Sequence, residues 1–259
     1  NTTSGVQTVT YTVTPTSGAA GNCVGSTFTV TVTVNPIATI ANKTVSTCSG
    51  TGFTLTPSNA GGDIVPSGTT YAWSTPVVTG SLSGGISATG QSSIAGTLTN
   101  TTNIAQTATY TVTPRSGTCN GATFTVVATI NPRPVIANKT ATICSGAAFT
   151  ITPSNSGSEI VPSNTTYTWT VAPNASVTGE SNETVGQSSI SQTLTNTTSG
   201  VQTVTYTVTP TSGADGNCVG TNFTVTVTVN PTPVIANKTA TICSGTAFTV
   251  TPSTSGSEI

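Results

Sequence analysis

Six cysteines are the residues best suited to chemistry in this chain, and they fall into two series. Cys23, Cys119 and Cys218 lie 96 and 99 residues apart, and so do Cys48, Cys144 and Cys243. An even count, two per period, is the pattern of a disulfide framework in an extracellular chain. With no Cys-x-x-Cys present, a redox-active pair is not expected. Pairing within a period would join Cys48 to Cys119 and Cys144 to Cys218, leaving Cys23 and Cys243 to partners elsewhere. Each bridge would close a loop of over 70 residues, worth roughly 4 kcal/mol through lost chain entropy. A geometric objection stands against it. If Cys144 lies between the first two strands of a domain and Cys218 in its last hairpin, the two sit at opposite ends, whereas bridged Cα atoms lie within about 7 Å. A staple from Cys48 of one period to Cys218 of the next, and free thiols throughout, are the other two readings.

The remaining chemistry is sparse. There is no histidine, which removes Ser-His-Asp and Cys-His activation and every histidine-containing metal site. No acid pair within a period supports catalysis, so no catalytic residue, cofactor site or metal site is assigned. One acid recurs in a fixed setting (Asp63-Ile-Val-Pro, Glu159-Ile-Val-Pro, Glu258-Ile), as does one lysine (Lys43, Lys139, Lys238) within Asn-Lys-Thr at Asn42, Asn138 and Asn237. A partly exposed ion pair is the expected use. A calcium site wants more carboxylates than a period supplies, and a Lys–Asn isopeptide bond is a further alternative. Trp73 and Trp169, each two residues after a tyrosine (Tyr71, Tyr167), read as core anchors together with Tyr110 and Tyr206 rather than as a carbohydrate platform. Asn-x-Ser/Thr sequons, at Asn42, Asn138, Asn164 and Asn182 among others, follow from the abundance of threonine and asparagine.

The elements that must hold these residues are strands. In Val201–Pro231, Val204, Tyr206 and Val208 alternate with threonines, and after a Gly-rich turn Phe223, Val225, Val227 and Val229 do the same. Such β-branched alternation marks a half-buried hairpin. The hairpin recurs at 6–36 and 105–132, and residues 1–36 differ from 196–231 at three positions only, 20/215, 26/221 and 27/222. Asn-Pro closes each copy, because proline ends a ladder. The expected organisation is therefore the tail of one repeat (1–36), two complete repeats (37–132 and 133–231) and the start of another (232–259). Each is an immunoglobulin-sized β-sandwich joined to the next by a short proline-stiffened linker. Within 133–231 the pattern predicts strands at 135–143, 148–152, 166–171 and 189–196, one or two weak edge strands in 172–187, and the closing hairpin. Asn1 in place of a methionine, and a break in mid-pattern at Ile259, lead us to expect a piece of a longer array.

Only 4% of residues are charged and the net charge is −1, which offers nothing to a nucleic-acid backbone or anionic lipid. No apolar run approaches the ~20 residues of a spanning helix, so membrane insertion is not expected.

The segments ICSGTAFTVTP (242–252), TTYTW (165–169), SISQTLTNTT (from Ser189), QTVTYTVTP and NCVGTNFTVTVTVNPTP (217–233) resemble the PKD-like, immunoglobulin-like repeats of giant cell-surface adhesins of Bacteroidetes, including those of gliding motility. The resemblance implies type IX secretion, attachment at the outer cell surface, movement by the gliding machinery through regions outside this segment, and an extended filament contacting an extracellular surface or polysaccharide. The alternative is a carbohydrate-binding or spacer module of a secreted polysaccharide-degrading enzyme.

Overall fold

The computed structural model describes residues 1–18, 20–213 and 216–252, and strands are the only regular elements among them. The chain divides into two compact units, Asn1–Asn100 with Ala105–Asn131, and Thr101–Ile104 with Pro132–Ile259. In the first unit a separate hairpin pairs β1 (Gln7–Val13) with β2 (Phe28–Val34). A complete sandwich follows, made of β3 (Lys43–Cys48), β4 (Phe53–Leu55), β5 (Thr70–Trp73), β6 (Val77–Val78), β7 (Leu82–Gly84), β8 (Ala88–Gln91), β9 (Ile94–Gly96), β10 (Leu98–Asn100), β11 (Gln106–Ser116), β12 (Cys119–Asn120) and β13 (Phe124–Asn131). The second unit repeats it with β14 (Lys139–Cys144), β15 (Ala148–Ile151), β16 (Thr166–Ala172), β17 (Val177–Thr178), β18 (Glu183–Gln187), β19 (Ile190–Thr193), β20 (Thr195–Asn196), β21 (Gln202–Thr211) and β22 (Phe223–Asn230).

The main sheets have the same order, β3-β13-β11-β5-β8 and β14-β22-β21-β16-β18, and short pairs (β4–β9 and β7–β10; β15–β19 and β17–β20) cover their inner faces. The inner faces are the alternating apolar positions. Val204, Tyr206, Val208, Phe223, Val225, Val227 and Val229 are all buried, against Phe149, Trp169, Ile190 and Leu194. Each fully buried side chain of this size contributes roughly 1.5–3 kcal/mol of transfer free energy, enough for each sandwich to hold its own core.

Two features differ from the pattern reading. The first strand begins at Lys139 rather than at 135, because Val135 exchanges both backbone hydrogen bonds with Ile160, at 2.9 and 2.8 Å. That strand then runs parallel to the last one, Lys139 opposite Val225 through Cys144 opposite Asn230, and β3 pairs with β13 in the same way. The weak 172–187 segment supplies β17 and β18, two edge strands.

Candidate functional site at the two ends of each repeat

The parallel pairing decides where the first cysteine series lies. Cys48 is the last residue of β3, opposite Asn131, and Cys144 the last of β14, opposite Asn230. Both therefore stand where the repeat's final strand runs out. The chain turns there through Gly50 and Gly146, at φ of 74° and 83°, a left-handed conformation that glycine adopts without a Cβ penalty. The intervening serine closes the end: Ser145 Oγ donates to the Asn196 carbonyl at 3.2 Å and accepts from the Asn196 N–H at 3.0 Å. Ser49 and Asn100 make the same pair. Asn196, itself buried, donates to the Val229 and Gly200 carbonyls and accepts from Thr198. The residue types gave no sign of this hub; the recurrence of Asn-Thr-Thr at 100 and 196 was the available signal.

The second series lies at the other end of the same strands. Cys119 opens the two-residue β12 and Cys218 lies in the turn before β22, with its carbonyl accepting from the Ser212 N–H at 2.9 Å. This turn packs on the start of its own repeat. A Cβ added at Gly220 would lie 2.3 Å from the Pro134 carbonyl oxygen, and one at Gly121 would lie 2.2 Å from that of Ala38, so only glycine fits. Between the two series runs the whole last strand, Phe223–Asn230 or Phe124–Asn131, about 23 Å at the rise of a β-residue. That exceeds the reach of a disulfide roughly threefold.

The oxidation states agree with this placement. Cys48 and Cys218 are disulfide-bonded. Cys119 and Cys144, their expected partners within a repeat, carry free thiols, as do Cys23 and Cys243.

The recurring acid and lysine meet in both repeats, Lys43–Asp63 and Lys139–Glu159, each at 2.6 Å. Asp63 also accepts from the Ala41 N–H, and this bond, then Lys43, holds its carboxyl below the usual range. For Glu159 burial pushes upward, but the Lys139 and Ala137 hydrogen bonds outweigh it and the net shift is downward. The carboxylate thus ties the loop before the Tyr-x-Trp strand to the start of the first strand. Asn42 and Asn138, which open Asn-Lys-Thr, accept from the Thr125 and Thr224 N–H groups at 2.8 and 2.9 Å and set the register of the parallel pair. Glu258 of the third copy lies outside the described residues.

Trp73, Trp169, Tyr110 and Tyr206 all lie in the cores. The indoles donate to the Ile86 and Ser181 carbonyls at 3.0 Å, and Trp73 meets Tyr110 edge-on at 6.4 Å. Of the sequons, Asn164 occupies a left-handed turn at φ 57° and Asn182 accepts from the Val171 N–H.

A main sheet with the same five-strand path in each unit, faced by short strand pairs over the same core and with the same end chemistry, defines tandem immunoglobulin-like β-sandwich domains. The chain belongs to the PKD-like domain family, whose model matches residues 1–38, 45–134 and 141–233. No curated protein matches it. Among solved structures it is similar to an endo-fucoidan hydrolase of glycoside hydrolase family 107, with 11% identity, a TM-score of 0.30, and 86% of this chain and 34% of that one covered. It thus spans about a third of that protein's length. It is also similar to the FN1–FN3 domains of chicken CNTN1 (9%, 0.34, 86% and 76%) and to mouse cadherin-23 EC22–24 (14%, 0.29, 86% and 74%). TM-scores this low carry no argument about function.

Proposed function

We propose that this chain is a non-catalytic repeat segment of a large secreted cell-surface adhesin, in which many copies of the domain form an extended filament for surface adhesion during gliding motility. The repeat segments quoted above resemble those of the gliding-motility adhesin SprB, and that resemblance supports the reading. The single observation that carries the reading is the repetition of a whole sealed domain, core and ends alike, with no assembled acid–base pair or nucleophile among the described residues. The outer face of the main sheet suits contact with a neutral, hydroxyl-rich surface such as a polysaccharide. There the register aligns threonines in rows across strands, Thr170–Thr207–Thr224 and Thr140–Thr226–Thr205, with no charged residue in either row. Contacts through hydroxyls are little screened by salt, and weak ones summed over identical repeats become firm.

Beads carrying chains with successive repeats deleted would be held against polysaccharide-coated glass under flow. The reading expects retention to fall steeply with each deletion and to change little between low and high salt. Retention independent of repeat number would replace it with a spacer role. A glycan array on two complete repeats tests the alternative, a carbohydrate-binding module of a secreted polysaccharide-degrading enzyme.

A further inference from the structure

We propose that the first repeat holds a binding site for the acetamido group of an N-acetylated sugar, in a gap between β9 and the turn after β7. The gap is a hollow of about 630 Å³ walled by Gly52, Phe53, Gly84, Gly85, Ile86 and Gly96. No charged side chain lines it, which suits a neutral ligand, since a charge drawn in would lose its hydration without a partner. Gly96 stands opposite Phe53 in the β4–β9 pair as Gln192 stands opposite Phe149 in β15–β19, so the two are one position of the domain. Ile86 and Ser181 correspond as well, because their carbonyls accept from the indoles of Trp73 and Trp169.

The second repeat shows what chemistry this position takes. There Gln192 Oε1 accepts from the Tyr206 hydroxyl at 2.8 Å, and Nε2 donates to the Ser181 carbonyl at 2.7 Å. In the first repeat glycine removes the carboxamide. The buried Tyr110 hydroxyl, 2.7 Å from where a Gly96 Cβ would stand, has no hydrogen-bond partner among the described residues. A buried hydroxyl without a partner is unfavourable, and an acceptor brought to it relieves that penalty. The ligand group is therefore an amide, its carbonyl accepting from Tyr110 and its N–H donating to the Ile86 carbonyl. Phe53 stands at the entrance, its ring edge 3.2 Å from the same Cβ position. It meets Tyr110 at 72°, whereas Phe149 lies at 47° to Tyr206 beside the Gln192 amide, so the ring pair admits an amide by changing its tilt. An acetamido methyl packs on Phe53 and the exposed Ile86, and the Thr54 and Thr97 hydroxyls at the rim meet the sugar ring. The choice of a sugar over a peptide amide rests on the adhesin reading above; the amide chemistry does not.

The test is an NMR titration of the full chain with N-acetylglucosamine, with glucose, which lacks the acetamido group, and with a blocked Gly-Gln-Gly peptide. N-acetylglucosamine should shift the backbone amides of Gly85, Ile86 and Gly96, and glucose should leave them in place. Tyr110→Phe should weaken binding about fivefold through the loss of one hydrogen bond. Gly96→Gln should abolish it, because the chain then supplies its own amide as the second repeat does. No shift at these residues, equal shifts with glucose, or undiminished binding by Tyr110→Phe would overturn the proposal. Shifts with the peptide alone would overturn the assignment to a sugar. Where Gly96→Gln fails to fold, Tyr110→Phe decides the matter, since it removes one oxygen and adds no bulk to the core. Binding of a soluble sugar is read without bead retention, so this site and the adhesin reading can fail separately.

Discussion

The hydroxyl of Tyr206 donates to Gln192 at 2.8 Å, whereas its counterpart Tyr110 faces Gly96 and has no hydrogen-bond partner among the described residues. Both rings are buried, and a Cβ added at Gly96 would lie 2.7 Å from the Tyr110 oxygen. The same core position is therefore satisfied in one repeat and orphaned in the other. Tyr206→Phe should cost the second repeat about 1 kcal/mol, since it removes one of the two donors to Gln192 Oε1 and leaves the Ser181 N–H as the other, while Tyr110→Phe should be neutral or stabilising in the first. Urea unfolding followed by hydrogen exchange on peptides from each repeat reads the two effects separately.

The ion pairs make stability fall in acid. Asp63 and Glu159 are held below their ordinary values when folded, so each contributes stability that is fully present above the unfolded carboxyl value of about 4 and is lost as pH falls through the folded one. Thermal melts should show a loss that begins near pH 4 and deepens below it. Asp63→Asn should lower stability at neutral pH and flatten that acid limb for the first repeat alone.

At the alkaline end the sign reverses. Burial, then the charge of Glu159, pushes Tyr167 up to about 12, so the neutral phenol's contribution is complete below the ordinary value of 10 and is lost as pH rises from there. Tyrosinate absorbance should show several late-titrating rings, since burial raises Tyr71, Tyr110 and Tyr206 as well, and Tyr167→Phe should remove one ring from that late amplitude.

Asn138 accepts from the Thr224 N–H, next to the first pair of the parallel ladder. Asn138→Ala should cost about 1 kcal/mol and speed exchange along β14 more than along β21. Exchange rates in β21 equal to those in β14 would show that the register is set elsewhere.

The hairpin β1–β2 keeps the register of β21–β22, Tyr11 opposite Val30 as Tyr206 is opposite Val225, yet Tyr11 is 55% exposed and Tyr206 fully buried. Fusing a copy of residues 133–195 ahead of Asn1 should complete a third sandwich and bury Tyr11. Slowed amide exchange across Gln7–Val13 and a larger unfolding m-value would report it.

That contrast separates what can be read locally from what cannot. The alternation of threonine with valine, tyrosine and phenylalanine determined by itself that residues 202–211 and 223–230 are strands and which side of each faces inward, because period-two burial leaves one apolar face. The recurrence at 96 and 99 residues determined that the domain is repeated, and the Tyr-x-Trp strand that both indoles belong in a core. Whether that inward face is sealed depended on strands far away in the chain, as the bare β1–β2 hairpin shows. Only the tertiary structure decided that the first strand runs parallel to the last. No local pattern encodes parallel pairing with a segment more than 80 residues away, and here it follows from Asn42 and Asn138 gripping that distant strand. The fate of the cysteines turns on this. Two positions that spacing alone could pair within a repeat, Cys48 with Cys119 or Cys144 with Cys218, are held a full strand length apart.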